Sequence, residues 1–176
     1  MISAKKAKQF MELAEFKAKL FSKDTAVQVC AIIVAPNSLQ ELSSGWNGMP
    51  RGINESIESR SERPTKYHWY EHAERNAIYN ASRCGVPLEG SIMFINRYPC
   101  SDCARAIIQC GISMVVTVSY DLTNTRWTES WNIASEMLAE VKIPVLSWDL
   151  VPIKNIMFPS EVPDDEKTTQ SVDSTK

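Results

Sequence analysis

The sequence predicts an α/β fold, in the form of a three-layer α/β/α sandwich around a five-stranded mixed sheet. Short apolar runs rich in β-branched residues recur along the chain and stop at turn residues, which marks strands. Stretches with apolar residues at helical spacing separate the later runs, and a strand–helix–strand crossover makes its two strands parallel. The first two runs are instead joined by Pro36-Asn37-Ser38, a turn that folds them into a hairpin.

The first element is a helix. The segment "MISAKKAKQFMELAEFKAKLF" places Phe10, Leu13, Ala14, Leu20 and Phe21 along an apolar stripe. It is Lys-rich, but it has no arginine and carries Glu12 and Glu15, whereas transit peptides are Arg-rich and poor in acids. Ser22-Lys23-Asp24 ends it. Ala26–Pro36, "AVQVCAIIVAP", is a buried strand, and "LQELSSGWNG" is its antiparallel return. The end of that return, "GWNGMPRGIN", holds three of the six glycines and is an irregular loop. From Glu55 to Lys66, "ESIESRSERPTK" reads as a solvated charged loop. A helix follows from about Tyr67 to Cys84, ended by Gly85-Val86-Pro87. Ser91–Ile95 is a strand, and "NRYPCSDCARAIIQCG" is a loop that enters a helix at Pro99-Cys100 and stops at Gly111. Ser113–Ser119 is a strand, Thr128–Lys142 a helix and Pro144–Trp148 the last strand. This order places helices on both faces of the sheet and makes the last three strands parallel. Residues 1–158 are expected to form one domain, and 159–176, polar and acidic with few large apolar groups, a disordered tail.

Composition narrows the function classes. A chain of 176 residues, 44% hydrophobic and 23% charged, suits one soluble domain with a real core. A net charge of −2 argues against a surface that grips nucleic acid, though not against a small anion held by a few arginines. No stretch approaches the ~18 apolar residues of a membrane span. The five cysteines are an odd number with no secretory signal ahead of them, so a reducing cytosol is expected rather than a disulfide framework. Cys30 and Cys110 read as ordinary buried thiols.

Two short segments carry the chemistry. Cys100 and Cys103 in "PCSDC" lie across the first turn of a helix, where the positive helix end favours thiolate over thiol. Alone, such a pair is as readily redox-active or accidental. "WYEHAERNAIYN" adds His72 and Glu74 at a second helix start, and helix starts on one side of a parallel sheet converge. His72, Cys100 and Cys103 are then three zinc ligands, which leave the fourth tetrahedral position to water, the catalytic arrangement. Zinc lowers the pKa of such a water to about 7. Residues two apart on a regular helix point to opposite sides, so His72 and Glu74 can share one ion only through a helix-start geometry. His68 stands four before His72, but Glu71 is in the wrong slot for a metalloprotease motif, and His68 is read as a packing or hydrogen-bonding residue. A purely structural zinc would need a fourth protein ligand. The spare thiols Cys84 and Cys110 lie at the far ends of the ligand helices.

The H-x-E…P-C-x-x-C pattern is that of zinc-dependent nucleobase deaminases. Within it, "SKDTAVQVCAIIV", "GWNGMPRG", "ERPTKYHWYEHAERNAIYNA" and "PCSDCARAIIQCGI" resemble the deoxycytidylate (dCMP) deaminases, including those carried by phages, over about Ser22 to Val145. The resemblance implies a cytidine deaminase-like fold, and hydrolysis of dCMP to dUMP and ammonia by a zinc-bound hydroxide attacking C4. Glu74 would move the protons. Asn47 would hydrogen-bond the sugar, the Ala73 amide would hold the base carbonyl, and Tyr120 would pack on the pyrimidine. For the 5′-phosphate the cations on offer are Arg126, Arg97 and Lys66, and no motif decides among them. The resemblance further implies a cytoplasmic homo-oligomer, a hexamer, feeding thymidylate synthesis (in the host cytoplasm for a phage-encoded chain). It would be activated by dCTP and inhibited by dTTP, with Mg2+ on the triphosphate. Gly48, Pro50, Arg51, Arg60 and Arg63 are the expected effector-binding residues. With two histidines in the chain, a second zinc is not expected. Two features depart from the family pattern: Cys30 stands where glycine is expected, and "INRYPC" is an unusual lead into the thiolate turn.

Other readings share parts of these motifs. A tRNA adenosine deaminase has the same His-Ala-Glu and Pro-Cys pair, but the acidic balance and the "ERPTKY" insertion speak against it. A free cytidine deaminase usually has a third cysteine where His72 stands. A non-catalytic zinc module would have no use for Glu74.

Overall fold

The structure, a computed structural model, describes residues 2–119, 126–148 and 151. The expected tail, 159–176, and Tyr120 lie outside the described residues.

Helix α1 (Ala4–Phe21) starts at Ser3, whose Oγ accepts a hydrogen bond from the Lys6 N–H at 3.4 Å. The hairpin is β1 (Cys30–Val34) and β2 (Glu41–Trp46), with a register shift between Ile33 and Val34. Two helices follow, α2 (Lys66–Trp69) and α3 (Ala73–Arg83), and then β3 (Ile92–Ile95), α4 (Ser101–Gln109), β4 (Met114–Val116), α5 (Thr128–Glu140) and β5 (Val145–Leu146). The sheet runs β2-β1-β3-β4-β5, antiparallel across β2/β1 and β1/β3 and parallel across β3/β4 and β4/β5. The expected hairpin, the three parallel strands and the mixed five-stranded sheet are all present. The strands are shorter than their apolar runs, because pairing ends where a run outlasts its neighbour.

Successive strand residues face opposite sides, and the core divides accordingly. Ala31, Ile33, Met93, Ile95 and Val115 pack with residues of α3, α4 and α5, while Cys30, Ile32, Val34, Phe94 and Val116 pack under α1. The central strands are therefore apolar on both faces, as a sandwich requires. The apolar stripe of α1 is displaced from its expected position. The buried face is Ala7, Met11, Ala14 and Ala18, and Leu20 and Phe21 are exposed. Three alanines let the helix lie close to the sheet, and the larger groups are pushed to its flanks. There Phe10 stacks on Phe94 with ring centroids 4.8 Å apart, and Phe21 stacks on Trp46 at 4.7 Å.

The single helix expected over Tyr67–Cys84 is two helices. Tyr70 and His72 are extended (ψ 131° and 155°), and Glu71 between them pairs with Gly48 through two backbone hydrogen bonds, 2.8 and 3.1 Å. Helical propensity loses here to a β-bridge with a distant segment. The expected loop Glu55–Lys66 also contains one 3-10 turn, Glu58–Arg60.

Candidate active site

His72 and Cys100 are the N-cap residues of α3 and α4, both in extended backbone conformation and neither using its side chain to cap. The break before α3 thus does what a regular helix could not. The imidazole leaves from an extended residue and the Glu74 carboxyl from the first turn, so both reach one place. His72 Nδ1 lies 3.4 Å from Cys100 Sγ and 3.4 Å from Cys103 Sγ, and the three donor atoms all fall within 4.8 Å of one another. Zinc bonded tetrahedrally at about 2.3 Å to sulfur and 2.0 Å to nitrogen sets such N···S separations at about 3.5 Å, so this donor set fits that ion. Among the described residues it is the one such cluster. Cys84 is exposed at the far end of α3, Cys110 lies beyond α4, and His68 is exposed.

The three donors are electrostatically coupled. Hydrogen bonding from Cys103, then from His72, pulls the Cys100 thiol down to about 4. The bond to Cys100 lifts His72 to about 9 against the opposing effect of burial. Cys103 moves the other way, its pKa raised by the Cys100 thiolate it hydrogen-bonds and by burial. A thiolate–imidazolium pair of this kind exchanges its proton for a divalent cation. Glu74 is 4% exposed, and burial pushes its carboxyl up to about 7. A group so placed exchanges protons near neutral pH.

His72, Glu74 and Cys100 open on a cleft of about 290 Å³. Asn47, Ala73, Lys66, Arg97 and Arg126 all line it, so five of the expected substrate residues share one space. They are not equally available. Asn47 Oδ1 accepts from the Ser22 hydroxyl (2.7 Å) and the Val29 N–H (2.9 Å), and its amide donates to the Val27 carbonyl (2.7 Å) and, at 3.5 Å, towards Asp24. Lys66 is buried and ion-paired with Asp24 at 2.6 Å, so its charge is already compensated. Arg126 is exposed, its guanidinium lying 4.1 Å over the Tyr67 ring. Stacking occupies the face of that group and leaves its N–H donors at the edge.

The expected effector residues have different surroundings. Gly48 is held by Glu71, the Pro50 carbonyl accepts from the Ile53 N–H at 3.2 Å, Arg51 donates to Asn80 Oδ1, and Arg60 lies 4.1 Å over Trp69. Arg63 lines the active-site cleft itself, which makes it a neighbour of the substrate residues. Sequence reasoning missed Asp24, Tyr98, Trp127 and Trp131 in the cleft wall. The signal was there in part. "YHWY" and "RWTESW" are dense in aromatics, and the rings of His72 and Trp127 meet edge-on at 6.3 Å.

A His/Cys/Cys donor set at two helix starts, with a buried carboxyl beside it in an α/β/α sandwich, defines a zinc-dependent deaminase. The chain belongs to the cytidine and deoxycytidylate deaminase zinc-binding family, whose model matches residues 4–119. It is 38% identical over 146 residues to an uncharacterized deaminase of the luxG 3′ region of Aliivibrio fischeri, covering 82% of this chain and 94% of that one. It is 37% identical over 130 residues to the human deoxycytidylate deaminase, covering 67% of this chain and 71% of that one. Among solved structures it resembles the dCMP deaminase of the cyanophage S-TIM5 in complex with dCMP and dUMP. That match has a TM-score of 0.66 and 26% identity and covers 84% of this chain and 99% of that one.

Proposed function

We propose that this protein is a dCMP deaminase, which hydrolyses dCMP to dUMP and ammonia in a single deaminase domain. The observation that carries the reading is the buried Glu74 carboxyl in the same cleft as His72 and Cys100, with the Cys103 sulfur 3.4 Å from His72 Nδ1. Bound to those three residues, zinc supplies a water acidic enough to ionise near neutral pH. Glu74 would accept one water proton and carry it to N3 as the water oxygen bonds to C4, then take the second proton from that oxygen and pass it to the amino nitrogen as the C4–N bond breaks and ammonia leaves. The Ala73 N–H, in the first turn of α3 where no intrahelical acceptor exists, donates to the base carbonyl. In this reading Asn47 lines the cleft where the sugar would lie, its amide held in one orientation by Ser22, Val29, Val27 and Asp24. Tyr120, outside the described residues, would be the aromatic partner of the pyrimidine that the resemblance implies.

The choice of dCMP is supported by the human deoxycytidylate deaminase among the relatives, by the cyanophage enzyme's complex with dCMP and dUMP, and by the cations at the cleft. Arg126 is the leading phosphate ligand, since Lys66 is neutralised by Asp24, and Arg97 and Arg63 line the same cleft. The proposal extends to a cytoplasmic hexamer feeding thymidylate synthesis, in the host cytoplasm for a phage-encoded chain. It would be activated by dCTP with Mg2+ and inhibited by dTTP, through Gly48, Pro50, Arg51 and Arg60. Neither a membrane nor a nucleic acid is a partner in this reading, and no described helix is long and apolar enough to cross a membrane.

The test is a panel of dCMP, dCTP, cytidine and tRNA as substrates, each with and without added dCTP and dTTP. Ammonia release from dCMP with much less from cytidine supports the reading. Equal turnover of cytidine removes phosphate recognition, and turnover of tRNA alone moves the chain to another branch.

A further inference from the structure

The two helices that supply the zinc ligands approach each other without a covalent link, so something must hold their starts in register. We propose that Arg75 is a positioning residue for the metal centre. Its guanidinium ties the residue before ligand His72 to the residue between ligands Cys100 and Cys103.

The geometry is specific. Arg75 lies one turn into α3 and reaches back to Glu71, with Nε and Nη2 each 2.5 Å from Glu71 Oε1. The same carboxyl oxygen accepts the backbone N–H of His72 at 2.9 Å. Glu71 is also the residue whose backbone is bridged to Gly48, so Arg75 closes a staple over the break that frees His72 from the helix. On its other side Nη1 of Arg75 is 3.9 Å from Asp102 Oδ2, in the first turn of α4. Among the ion pairs of the described residues, Arg75–Asp102 is the one that joins the His72 segment to the Cys100–Cys103 turn. Arg105 pairs with Asp102 as well, but it belongs to α4 and touches no acid of α3.

Lysine would not be equivalent, because a guanidinium carries donors on several edges and an ammonium is a point charge. Partners outside the ligand shell typically govern metal affinity by 10–100-fold. The inference rests on the metal-site reading and is independent of which pyrimidine the protein accepts.

The test follows zinc, not turnover. Zinc-loaded wild type, R75M and R105M are challenged with excess of a chromophoric chelator, and the release rate is recorded with the unfolding temperature of each metal-free protein. We expect R75M to release zinc about 10–100-fold faster, and R105M to stay within about twofold of wild type. R75M retention within about twofold of wild type overturns the proposal, and so does equal release from R75M and R105M, which would mean surface charge alone matters. A residue that merely stabilises the fold would lower the unfolding temperature and leave zinc release unchanged. Should R75M fail to fold, R75K carries the test, and wild-type retention there overturns the bridging role.

Discussion

Lys66 Nζ and Asp24 Oδ2 meet at 2.6 Å with side chains only 7% and 9% exposed, so the cleft wall contains a buried ion pair. Asp24 also accepts the N–H groups of Ala26 (2.9 Å) and Val27 (3.2 Å), which fixes the chain entering β1. Burial alone would raise the Asp24 carboxyl. The Lys66 hydrogen bond, the two backbone N–H groups and the Lys66 charge outweigh it and hold the pKa below its ordinary value. Removing one partner strands the other, and K66M or D24N should each cost about 3–5 kcal/mol in a urea unfolding experiment. The pH dependence has a definite sign. A carboxyl whose folded pKa is lowered stabilises the protein above its unfolded pKa of about 3.9, and that stability is lost as pH falls through the lower folded value. The gap between wild type and D24N should therefore be full at neutral pH and close below about pH 4. A gap that stays constant through this range would show that the pair is not the source.

The zinc ligands give a second prediction. Two sulfurs, each 3.4 Å from His72 Nδ1, form with it a donor set for one ion, so purified protein should carry about one zinc per chain by elemental analysis. C103S should lose most of it, because one of two thiolates is gone, and chelator-treated wild type should regain activity when zinc is returned. Full activity in zinc-free protein would end the metal assignment.

Glu74 is the group whose removal should separate binding from chemistry. E74Q keeps the shape of the side chain and leaves all three zinc donors intact, so its zinc content should match wild type. Its kcat should fall by about 100- to 10,000-fold, the range for a lost proton carrier, while KM changes little. Unchanged kcat would remove Glu74 from the reaction.

What the sequence made legible, and what it did not, follows from the range of the interactions. The strands around Ile33, Phe94 and Val115 were readable because β-branched runs between turn residues are local signals. His72, Glu74, Cys100 and Cys103 were readable because their chemistry needs those residue types at those spacings. The break at Glu71 was not, since it depends on a backbone partner at Gly48 in another part of the chain. The pairing of Lys66 with Asp24 was hidden in the same way. A lysine in a charged loop reads as solvated until the fold brings a buried acid to it. The stripe of α1 was misplaced because large apolar residues dominate a pattern, whereas close packing on a sheet selects Ala7, Ala14 and Ala18.

The last prediction concerns how deeply α3 sits. A Cβ on Gly45 would fall 2.2 Å from the Ala77 nitrogen, 2.6 Å from the Asn76 carbonyl carbon and 2.8 Å from the Ala73 oxygen. All three are backbone atoms of α3, so no rotamer change can make room. The helix is also tied to β2 at its sides: Asn76 donates to the Trp46 carbonyl (2.8 Å), Asn80 to the Ser44 carbonyl (2.7 Å), and Ser43 to the Ala77 carbonyl (2.7 Å). G45A must therefore push the helix off the strand against these bonds, and the first turn that moves carries Ala73 and Glu74. We expect a loss of about 3 kcal/mol in stability, the upper range for overpacking. A displacement near 1 Å at a reacting group costs roughly 100-fold, so kcat/KM of the folded fraction should fall at least tenfold. S43A, which removes one tie and adds no atom, should cost only about 1 kcal/mol and leave kcat/KM near wild type. If G45A keeps wild-type stability and turnover, α3 has slack on β2, and the close approach is not what sets the depth of the catalytic turn.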